Sequence, residues 1–191
     1  MQEKIISNFE LYQKILSKTG DRAQALDRFL TTHGERIAVC PSHNLVKRST
    51  SAPGGLVEHA LNTFKIARKL VEASAVNISQ ESLAIVCLLH EVGKIGDQER
   101  DYFISQDSSW HREKGQVYTY NPDLPKMTHT HRTLYILQAA GIQLTLDEWI
   151  AILTQHGTAS EENRFYAGCE NNLAVVLQSA IRLAVMKEED N

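Results

Sequence analysis

The chain has 191 residues, 42% of them apolar and 23% charged, with a formal net charge of −3. That length suits one globular domain with a proper core and is too short for two comfortable ones. The slight acidity excludes a general attraction to nucleic acid or anionic lipid, and no apolar run approaches the roughly 18 residues of a membrane span.

The opening stretch, MQEKIISNFELYQ, carries acids inside an amphipathic pattern and lacks the apolar core of a signal peptide. Cys40, Cys87 and Cys169 are odd in number and widely spaced, with no CxxC pair. Together these features lead us to expect a cytoplasmic chain with reduced thiols. Residues 2–18 place Ile5, Phe9, Tyr12 and Leu16 on one helical stripe, and Gly20 is a plausible stop. Asp21 starts a second helix with Ala25, Leu26, Phe29 and Leu30 on its inner face, and Gly34 follows it. Residues 1–36 therefore read as a helical hairpin that serves as scaffold on the main core. Residues 37–53, with Pro41, Pro53 and the run KRSTS, read as a loop. Lys47 and Arg48 in it are either solvated surface charge or, because loops carry binding residues, contacts for a phosphate.

A third helix is expected from about Gly55 to Ala75, buried along Leu56, Ala60, Phe64, Ala67 and Val71. His59 lies on the flank of that stripe with Thr63 and Ile66, where a lone histidine is ordinarily a packed residue. Asn77 or Ser79 caps the next helix. Its Leu83–Leu89 run is apolar nearly all round, which marks a central, buried helix. His90 and Glu91 follow that run directly, and a charge there is costly unless paired or metal-bound. Gly93 and Gly96 end the helix, so the pair sits where a pocket can open. Imidazole suits transition metals, and a carboxylate suits harder cations.

Residues 98–127 are polar and irregular, but DYFIS and QVYTY are short, aromatic and β-branched, which predicts a small hairpin. The segment Ser109-Trp110-His111-Arg112 either stacks on a base and touches phosphate or anchors that hairpin. A helix begins near Met127–Arg132 and runs through Leu134, Leu137 and Ala140 to Gly141. His129 and His131, two apart, point to different faces of it, so at most one joins a site. Thr145-x-x-Glu148 is a capping box. It opens a helix with Ile150 and Leu153 inside that ends in Gln155-His156-Gly157. By itself His156 reads as a surface histidine at a helix end. After a polar loop at 158–170, the last helix, Asn172–Lys187, buries Leu173, Val176, Leu177, Ala180 and Ala184. The expectation is a single all-α domain of six or seven helices over 1–191, with at most a short β-hairpin.

GGLVEH at 54–59 and HEVGK at 90–94 together resemble the HD-domain superfamily of metal-dependent phosphohydrolases, most closely its short phage-type and bacterial members. The resemblance spans roughly residues 40–187. It implies a helical bundle in which the 98–127 insertion forms a lid or wall over a site with one or two divalent ions, which lower the pKa of a bound water and polarise phosphoryl oxygens. It implies His59, His90 and Glu91 as metal ligands, joined by His129 and His156. Glu91 and Lys94 take catalytic roles, and Lys94, Arg48 and Arg132 bind substrate. The chain departs from the family pattern in two places. Glu91 stands where the family has Asp, and the family's final Asp falls on Ile181, with the His before it on Gln178. A histidine-rich set suits Mn, Fe, Ni or Zn rather than Mg. Two functions stay open. One is a phosphohydrolase acting on a nucleotide or a short single-stranded nucleic-acid end. The other is a degenerate fold kept as a binding module for a nucleotide, a nucleic-acid end or a protein partner.

Overall fold

The computed structural model describes residues 2–189, and Met1, Asp190 and Asn191 of the expected 1–191 domain lie outside the described residues. The N-terminal stripe forms α1 (Gln2–Leu16), with Tyr12 and Leu16 buried. A 3-10 turn at Gly20–Arg22 leads into α2 (Ala23–Val39). This helix does not stop at Gly34 as the sequence suggests. Gly34 lies mid-helix, and a Cβ there would come within 3.0 Å of the Phe9 ring, so the missing side chain lets α1 approach α2. The expected loop correspondingly starts late, at Cys40, and contains a 3-10 turn at Ser49–Ser51.

The centre is built by α3 (Gly55–Ser74) and α4 (Gln80–Leu89). Ser79 caps α4, its hydroxyl accepting from the Ser82 backbone N–H. Leu83 through Leu89 are all buried, as expected of an apolar helix with neighbours on every side. Those neighbours are α1, α3, α7 (Leu146–Leu153) and α8 (Asn172–Glu189). The Tyr12 hydroxyl donates to the Leu88 carbonyl at 2.9 Å and pins the N-terminal hairpin to the end of α4. The buried face of α3 is wider than the predicted stripe. His59 and Thr63 are buried with Leu56, Val57, Ala60 and Ala67, whereas Phe64 and Val71 are only partly buried, because α8 packs on the flank of the stripe that carries His59.

α4 ends at Leu89, before Gly93 and Gly96, and a 3-10 turn at Val92–Ile95 follows. That turn packs on α6 (His129–Ala139), which Thr128 caps. The predicted hairpin is present as β1 (Phe103–Ser105) and β2 (Tyr118–Tyr120), antiparallel, with Phe103 opposite Tyr120 and Ser105 opposite Tyr118. The short α5 (Ser109–Glu113) joins the strands. Trp110 is exposed, and Arg112 donates to the Gln106 carbonyl, so this segment anchors the hairpin. The Val117 N–H donates to the Asn44 carbonyl and ties the hairpin to the 41–48 loop.

The capping box at Thr145 and Glu148 forms as predicted. The inward face of α7 is Glu148, Ala151 and Ile152, while Ile150 and Leu153 are half-buried. The shift follows from Glu148, which also meets Arg22 at 2.6 Å and so turns inward with a partner. The fold is all-α apart from this two-stranded sheet. Among the described residues no helix is long and apolar enough to cross a membrane. All three cysteines are free, with Cys40 and Cys87 buried and Cys169 exposed.

Candidate metal centre

Five elements meet around Glu91. α3 brings His59, the end of α4 brings His90 and Glu91, the first turn of α6 brings His129, and the end of α7 brings His156. α8 closes the group from the far side with Ile181, Val185 and Glu188. The ligand atoms of His59, His90 and Glu91 lie within 4.8 Å of one another, and so do those of Glu91, His129 and His156. Glu91 belongs to both sets. Its Oε2 is 4.0 Å from His59 Nε2, its Oε1 is 4.0 Å from His129 Nε2, and the Nε2 atoms of His129 and His156 are 2.9 Å apart.

Hydrogen bonding assigns the tautomers of the inner two histidines. His90 Nδ1 donates to the Cys87 carbonyl at 2.9 Å, so its lone pair is on Nε2. That Nε2 is fully buried and has no hydrogen-bond partner, and the same is true of Glu91 Oε2. Two orphaned acceptors side by side in a protein interior are costly unless a cation joins them. His59 Nδ1 sits 3.0 Å from both Glu188 oxygens, which leaves its Nε2 facing Glu91. A carboxylate behind a histidine fixes the ring and strengthens it as a ligand. Bonds near 2.1 Å place the atoms of a tetrahedral set about 3.4 Å apart, so small side-chain rotations close this cluster on an ion. The buried His59, His90 and Glu91 cluster can hold a metal ion.

The electrostatics agree with that donor set. Burial pushes His90 down to about 3, so it is a neutral ligand at ordinary pH. His129 is also lowered to about 3, first by burial and then by Lys94. Burial works to raise the Glu91 carboxyl, but Lys94 and the surrounding imidazoles outweigh it and hold it well below the usual range. Lys94 Nζ meets Glu91 Oε1 at 2.5 Å and donates to the Ser42 carbonyl at 2.7 Å. Glu188 too is ionised more readily than usual. Burial opposes this, and the hydrogen bonds from His59, Asn62 and Thr50 prevail.

Buried polar groups hold the frame. Thr133 Oγ1 and Gln155 Nε2 both donate to the His90 carbonyl, at 3.1 and 3.0 Å. The Gly93 N–H donates to Thr133 Oγ1. Gly93 has no room for a side chain, since a Cβ would stand 2.1 Å from the His129 carbonyl oxygen. α6 therefore packs backbone to backbone on the turn that follows His90, and this brings His129 to Glu91.

A cavity of about 280 Å3 opens onto the cluster. Arg48 and Lys94 line it with His43, Tyr102, Tyr120 and Ile181. The hairpin thus forms one wall, as expected of residues 98–127. The sequence expectations for His59, His90, Glu91, Lys94, His129, His156 and Arg48 all converge here. His131 points away, 4.0 Å from Glu162. Lys47 is spent on Glu189 at 3.3 Å, and Arg48 shares that partner at 3.2 Å. Arg132 is a correction. It is buried and donates to the Pro125 carbonyl, with its guanidinium 5.9 Å above the Tyr102 ring, and it lines a different cavity. Positions one and four of α6 are neighbours on the helix surface, but the bond to Pro125 draws the Arg132 side chain away from the cluster.

Sequence reasoning missed Glu188, because the last helix was ended at Lys187. The signal was present, since Glu188 continues the apolar row Ile181–Ala184 of α8 at helical spacing. His43 and the aromatic wall carried no such signal. We expect Glu188→Gln to lower metal affinity about 10–100-fold, the usual cost of removing an outer carboxylate from a ligating histidine. Calorimetric titration with Mn or Ni checks this, and an unchanged affinity would show that Glu188 orients nothing. No family model matches the chain, and no curated protein or solved structure gives a significant match.

Proposed function

We propose that this protein is a metal-dependent phosphohydrolase of the HD type, acting on a nucleotide or a short single-stranded nucleic-acid end. The observation that carries the reading is the pair of orphaned, buried acceptors, His90 Nε2 and Glu91 Oε2, facing His59 at the base of a cation-lined cavity. It is supported by the GGLVEH and HEVGK motifs, whose His59, His90, Glu91 and Lys94 fall in one cluster. A divalent ion held by His59, His90 and Glu91 would supply a Lewis acid for the phosphoryl oxygens and a lowered pKa for water. Four imidazoles and one carboxylate favour Mn, Fe, Ni or Zn over Mg.

The chain's own residues divide the remaining work. Lys94 and Arg48 stand where the charge of a phosphoryl group is stabilised. The Lys94 bond to Glu91 keeps that carboxylate ionised and oriented. His129, lowered to about 3 by burial, can accept a proton at Nε2 when His156 turns away, or the two histidines can complete a second metal position with Glu91. Tyr102 and Tyr120 offer flat faces against which a base can stack. The chain's acidity disfavours long duplexes as substrates.

Turnover of a chromogenic phosphodiester and of a nucleotide panel is the direct test. We expect activity with added Mn or Ni, loss of it in chelator, and loss in Glu91→Gln. Equal turnover by wild type and variant would reject the hydrolase.

Ile181 favours a second reading, a binding module without catalysis. It lies in the cavity wall at the family's final Asp position, and an isoleucine donates no ligand. Ile181→Asp is expected to raise metal affinity by more than about tenfold, since a direct ligand outweighs an outer-sphere one. An unchanged metal content in the folded variant would remove Ile181 from the site. Nucleotide binding without turnover in the wild type would select the binding module.

A further inference from the structure

A second cavity lies apart from the metal centre. It measures about 530 Å3, a usual size for a small-molecule site, and lies between α2, α6 and the 96–100 loop. One side is apolar, with Phe29, Ile136 and Tyr135. The other is charged, with Arg28, Arg100 and Arg132 beside Asp97 and Glu99, and Asp97 is paired with Arg100 at 2.6 Å.

Arg132 sets this cavity apart. It is only 5% exposed, yet among the described residues no carboxylate lies within ion-pairing distance of it. Its Nε has no hydrogen-bond partner, and Nη2 donates to one neutral carbonyl, that of Pro125, at 2.7 Å. The Tyr102 ring at 5.9 Å is its other support. By contrast Arg22, Arg36, Arg48 and Arg100 each meet a carboxylate. A buried guanidinium is ordinarily paired, because leaving a charge without a counter-ion in the interior is costly. Its planar fork matches a carboxylate or a phosphate.

We propose that this cavity is a second binding site, separate from the metal centre, for a small organic anion: a phosphate or carboxylate carried on a flat apolar body. The anionic group pairs with Arg132, with Arg28 adding to the field, while Arg100 is already matched by Asp97. The flat body lies against Phe29, Ile136 and Tyr135. This site does not depend on metal and does not depend on the hydrolase reading.

The test uses calorimetric titration of the full chain in chelator, with phenyl phosphate, benzoate and neutral phenol as probes. We expect one of the two anions to bind at least about tenfold more tightly than phenol, the difference a charge-assisted hydrogen bond makes. Arg132→Met should weaken that binding by at least about tenfold, and His90→Ala should leave it unchanged. Ala139→Trp fills the cavity from an exposed position of α6 and should block binding with Arg132 intact, which keeps the test decisive if Arg132→Met does not fold. Failure of both anions to bind at millimolar concentration, phenol binding as tightly as either, or loss of binding in His90→Ala with Ala139→Trp unaffected would each overturn the proposal.

Discussion

Replacing His90 with alanine is expected to reduce bound metal from stoichiometric to background and to abolish any metal-dependent turnover. The ring is fully buried, its Nδ1 is engaged with Cys87, and its free Nε2 points into the cluster with no other partner. Loss of such a ligand weakens a site by more than the roughly 10–100-fold of an outer-sphere change. Glu91 would also lose the neighbour with which it can share an ion. Elemental analysis of the purified variant beside the wild type measures the effect. Truncation also strands the Cys87 carbonyl and costs about 2 kcal/mol of stability, so thermal unfolding of both proteins in chelator separates lost metal from lost fold. A folded His90→Ala protein that retained stoichiometric metal would place the ion elsewhere.

Gly93→Ala is expected to disturb the fold and the metal cluster together. The added Cβ would stand 2.1 Å from the His129 carbonyl oxygen and 2.6 Å from the Thr133 nitrogen, both backbone atoms of α6. Neither can rotate away, so the helix must move off the 3-10 turn. Overpacking of this severity costs about 3 kcal/mol, and in a chain of this size that lowers the melting temperature by about 6–12 °C. Movement of α6 also carries His129 away from Glu91, so metal affinity should fall together with stability. Gly141→Ala is the control. Its φ is +71°, but no atom lies within 4 Å of the added Cβ, so it should cost only the left-handed penalty of about 1 kcal/mol. Equal melting temperatures for the two variants would show that α6 is not held against the turn at Gly93.

Local signals in the chain determined most of the secondary structure. The capping box at Thr145, the cap at Ser79, the all-round apolar run Leu83–Leu89 and the paired strands around 103–105 and 118–120 form as their residues dictate, because each depends on neighbours a few positions away. The inner cluster was legible for a related reason. A polar His90-Glu91 pair directly after a buried helix needs a partner, and only a few residues of the chain can supply one.

Tertiary structure decided what depends on distance in space. α2 runs through Gly34 because Phe9, on another helix, packs over it. His129, not His131, faces Glu91 because Gly93 lets α6 dock backbone to backbone in one rotational setting. The same setting turns Arg132 away from the metal cavity and into the other one. Glu188 reaches His59 across 129 positions of the chain, and no local pattern links an acid at the end of one helix to a histidine at the start of another. Spacing fixes which residues share a helix face, but the direction of that face is set by side-chain and backbone packing between elements, which a sequence encodes only collectively.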